Sequence, residues 1–172
     1  MATAQLTPDN DAVVVEIFVA APPARVFQAI TDPIQTAKWW GAKGLYRLTS
    51  SKADIRVGGK WLSEGVGEDG KPFSVGGEYL EVIPPRLLVH TWNPSYSDLH
   101  ETVVRWELEA RDVHSLQHHG PARVGTGTVV RIRHSGFAGN IASAQAHGGG
   151  WVRVLGWVQA FLEKGETVET RV

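Results

Sequence analysis

The side chains with chemistry to offer in this 172-residue sequence are its histidines, one glutamate beside paired glycines, and seven tryptophans. His114, His118 and His119 crowd the stretch "RDVHSLQHHGPARVG", a spacing that raises metal binding. No cysteine accompanies them, and a solvated polar connection explains the stretch as simply. His134 falls in "GTVVRIRHSGF" on the same strand face as Val130 and Ile132. It reads either as a locally hydrogen-bonded core histidine or as a contact to a ligand. Glu78, in "GGEYLE", has two glycines beside it that would let a ligand approach the backbone; the alternative is a solvent-facing strand glutamate. His134, His90 and Glu78 are the groups available as a general acid or base inside the fold. Nothing in their spacing pairs two groups of diverging pKa.

The recognised catalytic and phosphate-binding signatures are missing. H-E-x-x-H, G-x-S-x-G and G-x-x-x-x-G-K-[ST] do not occur. "GVGEDG" spells G-x-G-x-x-G, but the strand-like "KPFSV" follows it where a dinucleotide site needs a helix. Asp69-Gly70 therefore reads as a turn pair.

Tryptophan carries more information. Trp39 and Trp40 end a helical segment, Trp61, Trp92 and Trp106 fall on strand-like segments, and Trp151 and Trp157 fall in a terminal helix. A buried indole N–H needs an acceptor, so seven tryptophans imply polar groups or a hydrated cavity inside the fold.

Those residues need elements to hold them. "AVVVEIFVA" reads as a β-branched strand. It runs into "APPARVFQAITDP", where Pro22 and Pro23 suit a helix's first turn, and a second short helix carries "IQTAKWWG". From there the period changes. "KADIRVGGKWLSEGV" predicts a strand, a Gly58-Gly59 turn and a strand, and "FSVGGEYLEVIPPRLLVHTW" a strand, a Pro84-Pro85 turn and a strand. "ETVVRWELEA" and "GTVVRIRHSGF" alternate as half-buried strands. Leu88, His90 and Trp92 share one face of their strand and Leu87, Val89 and Thr91 the other; sequence alone leaves open which points inward. The terminal segment "GGGWVRVLGWVQAFLEKG" gathers Trp157, Phe161, Val154, Val158, Trp151, Leu162 and Leu155 into a helical arc of roughly 160°. Its Gly148-Gly149-Gly150 run is expected to kink or interrupt the helix.

Composition sets the outer limits. Hydrophobic residues make up 42% and charged residues 20%, an ordinary globular balance. A formal charge of −1 gives no drive toward nucleic acid. Zero cysteine excludes disulfides and thiolate chemistry and fits a reducing, cytoplasmic setting. No signal-peptide pattern or long apolar run is present, so no membrane association is expected. One α+β domain is expected over 1–172, with its core at about 13–164 and no cofactor or metal.

Five segments, in order, carry a family resemblance: "APPARVFQAITDPIQTAKWWG", "DIRVGGKW", "GGEYLEVIPPRLLVHTW", "GTVVRIRHSGF" and "GGGWVRVLGWVQAFLEKG". The chain resembles the family named after the activator of the heat-shock protein 90 ATPase, within the SRPBCC (START-like, birch-pollen-allergen-like) superfamily. The resemblance implies a helix-grip fold: a curved antiparallel sheet of six to seven strands around a long C-terminal helix, with two short helices after the first strand. It also implies a cavity between sheet and helix for a small hydrophobic or aromatic ligand, without demonstrable catalysis. Trp40, Glu78, Trp92, Trp106, His134 and Trp151 are the expected ligand-binding residues. A polyketide cyclase- or aromatase-like enzyme using the same cavity is the alternative. A chaperone-related interaction module is a third, weakened because the family's eukaryotic members carry a further N-terminal domain not seen here. An antiparallel sheet edge offers a homodimer contact.

Overall fold

The computed structural model describes residues 1–97, 100–115 and 123–171. Nine strands and three helices follow in the order β1 (Thr3–Leu6), β2 (Ala12–Val19), α1 (Pro23–Thr31), α2 (Pro33–Trp39), β3 (Gly41–Ala42), β4 (Tyr46–Ala53), β5 (Lys60–Gly67), β6 (Pro72–Ile83), β7 (Leu87–Pro94), β8 (Thr102–Ser115), β9 (Arg123–Ser135) and α3 (Ile141–Lys164). The strands form one open antiparallel sheet, ordered β1-β2-β9-β8-β7-β6-β5-β4-β3. This is the α+β helix-grip architecture, with nine strands where six or seven were expected. The additions are the short β1 and β3, which extend both ends of the sheet.

Local chemistry accounts for the helix boundaries. Pro23 opens α1, and Asp32 ends it while capping α2. The Asp32 carboxylate accepts from the Ile34 N–H at 3.0 Å, and Pro33 takes the first helical position, where no donor is needed. Asn140 caps α3 by accepting from the Ser143 N–H at 3.1 Å. Gly165 ends it at φ 70°, returning its N–H to the carbonyls of Ala160 and Phe161.

Three sequence expectations are corrected. The helix runs unbroken through Gly148-Gly149-Gly150. Packing overrides propensity there: a Cβ on Gly148 would lie 2.9 Å from the Val13 Cγ2, so glycine is what lets α3 settle on β2. Nor is Gly58-Gly59 a two-residue hairpin link. Asp54 to Gly59 all lie between β4 and β5, with Gly58 at φ 82°. A side chain on Gly59 would collide with the Asp54 carbonyl, so the apolar alternation of Ile55 and Val57 belongs to a loop. Gly65–Gly70 ends β5 in a turn as expected, whereas β8 and β9 extend well into the polar stretch expected to be a connection. His118 and His119 lie outside the described residues.

The two sheet faces have opposite characters. Outside, Arg131 bridges Glu16 at 2.7 Å and Glu107 at 3.4 Å, while Arg105 bridges Glu107 at 2.7 Å and Glu81 at 3.5 Å. The Arg105 hydrogen bond holds the Glu107 carboxyl below the usual range. Inside, Val13, Val15, Val104, Val130 and Ile132 are almost wholly buried on the face that carries α1 and α3. Among the described residues, no helix is long and apolar enough to cross a membrane.

Candidate functional site

Where β4 to β7 curve away from α3, the interior stays unfilled. A cavity of about 600 Å³ opens there, lined by Tyr46, Trp61, Tyr79, Trp92, Trp106 and Trp151 among others. That volume lies within the ordinary range for small-molecule sites. A twisting sheet cannot follow a straight helix along its whole length, so the gap follows from the geometry. Leu45 and Tyr96, 42% and 57% exposed, mark its mouth.

Trp40 emerges at the end of α2 and forms part of the wall. It stacks on Trp39 at 5.1 Å, and its N–H donates to the Tyr46 hydroxyl at 3.0 Å. Trp39 itself is fully buried and donates to the Ala29 carbonyl at 2.9 Å. The C-terminal residues hold this corner from behind. The Val168 N–H donates to the Lys38 carbonyl at 2.9 Å, and the Arg171 guanidinium donates to the Trp39 and Gly41 carbonyls while lying over the Trp157 ring.

Two neutral histidines organise the floor. The Trp106 N–H donates to His90 Nε2 at 3.1 Å, and His90 Nδ1 lies 3.0 Å from the Thr91 carbonyl. An indole nitrogen only donates, so His90 carries its proton on Nδ1. The Trp151 N–H likewise donates to His134 Nδ1 at 3.0 Å, which places the His134 proton on Nε2, toward the Thr102 hydroxyl at 2.7 Å. Thr102 completes the chain by donating to the Trp92 carbonyl at 3.3 Å. Burial pushes the His90 pKa down to about 4 and that of His134 down to about 2. Burial lowers His147 as well; its Nδ1–H meets the Ser143 carbonyl at 2.9 Å, and its Nε2 is buried without a partner. Tyr79, pushed up to about 12 by burial, keeps its hydroxyl proton.

Of the residues expected at the site, Trp40, Trp92, Trp106 and Trp151 come together on the cavity wall. His134 lies one layer behind, fully buried, with both ring nitrogens bonded. Glu78 lies on the outer face, 3.7 Å from Lys60, in a shallow depression with Thr91 and Asn93. The face carrying Leu88, His90 and Trp92 is the inward one. Trp61, Tyr46, Tyr79 and His147 were not singled out, although each lines the cavity. For Tyr79 the signal was parity: in strand β6 it follows Glu78 and so faces the other way. Among the described residues no cluster of His, Cys, Asp or Glu could hold a metal ion.

Comparison with known proteins bears on this site through the fold. Residues 20–117 match the family described as Activator of Hsp90 ATPase homolog 1-like protein. A Mycobacterium smegmatis crystal structure superposes with a TM-score of 0.72 at 20% identity, covering 94% of this chain and 96% of the other. One from Rhodobacter sphaeroides gives 0.71 at 19% identity, covering 94% and 98%. One from Chromobacterium violaceum gives 0.64 at 24% identity, covering 89% and 98%. At these identities the likeness is one of fold. The chain matches no curated protein.

Proposed function

The chain belongs to the Activator of Hsp90 ATPase homolog 1-like family of the SRPBCC superfamily, and we propose that it binds a small hydrophobic or aromatic molecule between its sheet and α3. One observation carries this reading: about 600 Å³ of interior remains unfilled although the surrounding wall is built largely of aromatic rings. Protein interiors otherwise close to near-crystalline density, and a void of this size forfeits the contacts its lining could make. An apolar ligand restores them.

Acid–base catalysis of the cyclase type draws less support. Both nitrogens of His90 and both of His134 are already committed to indole, carbonyl or hydroxyl partners. Burial also keeps both rings neutral, so neither has a proton poised for exchange near neutral pH. Native mass spectrometry of freshly purified protein tests the binding reading. A non-covalent adduct of a few hundred daltons, lost on denaturation, is expected. Protein that is ligand-free and stays so after incubation with a panel of aromatic and aliphatic compounds would contradict it. The same spectrum counts subunits, and the open edge at β1 is the contact we assign to any homodimer.

A further inference from the structure

The cavity's polar groups are unevenly divided, and that imbalance selects among apolar ligands. Its side-chain donors outnumber its available acceptors. The indole N–H groups of Trp61 and Trp92, neighbouring wall residues with ring centroids 5.7 Å apart, are buried; that of Trp61 makes no hydrogen bond, and that of Trp92 is approached only by the Tyr96 hydroxyl at the mouth. Tyr79, 5% exposed, adds a phenol hydroxyl that makes no hydrogen bond to protein. Of the imidazole acceptors, His90 Nε2 and His134 Nδ1 are taken by Trp106 and Trp151, which leaves His147 Nε2 as the one free imidazole acceptor among the described lining residues. Ser51 and Ser63 face each other at 3.4 Å.

Charge follows the same pattern. The residues bordering the cavity include Lys52, Lys71 and Arg153 against a single carboxylate, Asp69. Asp69 is already held by the Lys71 backbone N–H at 3.0 Å and lies 3.8 Å from its ammonium. Arg153 projects from α3 on the cavity side with no ion pair or hydrogen bond, and its charge reaches the Tyr46 hydroxyl. A buried donor without an acceptor is costly, and an unpaired, exposed guanidinium beside the opening attracts an anion most at low salt.

Resting on the binding reading above, we propose that the ligand class is an aromatic acid: a planar apolar body bearing an anionic, acceptor-only group such as a carboxylate or sulfonate. The rings occupy the aromatic-walled volume. The acid group lies toward Arg153, and a ligand oxygen atom supplies what the Trp61 N–H lacks. A cationic or donor-bearing head would leave the same groups unpaired and meet like charge at Arg153.

Two naphthalene probes that differ in one group test this. 8-Anilinonaphthalene-1-sulfonate carries the anion; N-phenyl-1-naphthylamine has the same ring body without it. Both are titrated by fluorescence and calorimetry into the full chain, with mutual displacement to establish a shared single site. The sulfonate is expected to bind at least about tenfold tighter than the neutral amine at low salt, the size of one charge-assisted contact. Arg153→Gln, at an exposed position, should reduce that preference to within about threefold while leaving neutral-probe affinity unchanged. Trp61→Phe, which keeps an aromatic ring but removes the N–H, should weaken sulfonate binding more than amine binding. Equal or tighter binding of the amine, or a sulfonate preference untouched in Arg153→Gln, overturns the aromatic-acid proposal and leaves the binding reading standing. Failure of both probes to bind at a single site overturns the two together.

Discussion

The two halves of the sheet meet the same helix side of the molecule and end differently. In β2, β8 and β9, the inward residues Val13, Val15, Val104, Val130 and Ile132 are 0–2% exposed, in one core cluster with Leu155 and Val158 of α3. In β4, β5 and β6, the inward Tyr46, Trp61 and Phe73 are only half-buried, and they border empty volume. Both halves alternate apolar and polar residues, so pattern does not separate them. Cover does. Helix α3 rests on β1 and β2, while α2 packs on β4. Small side chains sit where helix and sheet touch, and large aromatics where they part. A close-packed half that supplies stability therefore stands beside an open half that is free to bind.

Truncating a ring on each side should show the widest separation. Trp157, 8% exposed and away from the cavity wall, packs edge-on to Tyr46 at 5.8 Å and under the Arg171 guanidinium. Trp157→Ala should lower unfolding free energy by about 3–5 kcal/mol, as large aromatic truncations in cores do. Trp40, half-buried on the wall, should cost only about 1–2 kcal/mol as Trp40→Ala, because less apolar area leaves contact with protein. Chemical denaturation measures both, and equal losses would contradict the division.

Acid should reach both halves through the histidines between them. His90 and His134 have folded-state pKa values of about 4 and about 2, below the unfolded 6.5. Below pH 6.5 the unfolded chain takes up protons that the folded chain refuses. Their contribution is therefore complete above pH 6.5 and is lost as pH falls, over a window reaching about pH 4 for His90 and about pH 2 for His134. Between pH 6 and 4.5, each ring should steepen the loss by up to about 1.4 kcal/mol per pH unit. Stability measured across that interval should fall with acid, and more gently in His134→Gln. A flat profile would mean the rings are not held neutral.

Adjacent glycines of α3 give the smallest contrast. A Cβ on Gly149 meets nothing within 4 Å, whereas one on Gly148 meets Val13 Cγ2 at 2.9 Å. Gly149→Ala should raise stability by about 0.5–1 kcal/mol through the unfolded chain's lost freedom. Gly148→Ala should forfeit that gain against β2. Equal gains in thermal melts would show that α3 does not rest there as closely as described.

Sequence made the covered half easier to read than the open one. Pro22-Pro23 marks a helix start because its chemistry is local, and the alternation through Val104, Trp106 and Leu108 marks a half-buried strand for the same reason; Pro33, which reads as the close of one helix, also opens the next. What escaped depends on contacts distant along the chain. Gly148 looked like an interruption because Val13 is far away in sequence. Ile55 and Val57 continued a strand pattern until the Asp54 carbonyl, packed against Gly59, required a loop. The four expected cavity tryptophans converge because indoles on two strands and two helices have one interior to enter. Glu78 and His134 do not join them. Strand parity turns Glu78 outward, and the Trp151 and Thr102 bonds hold His134 behind the wall.

The distinction between the halves can be read at the seven indoles themselves. With the protein labelled with ¹⁵N, each indole N–H gives its own signal, assignable by single Trp→Phe substitutions, and 1-naphthoate can be titrated while all are followed. Trp61, buried on the cavity wall without an acceptor, and Trp92 beside it should shift most and saturate with a single dissociation constant. Trp39, bonded to the Ala29 carbonyl, and Trp157, away from the wall, should stay within line width. Movement at Trp39 and Trp157 with Trp61 and Trp92 unmoved would contradict the assignment of binding to the open half of the sheet.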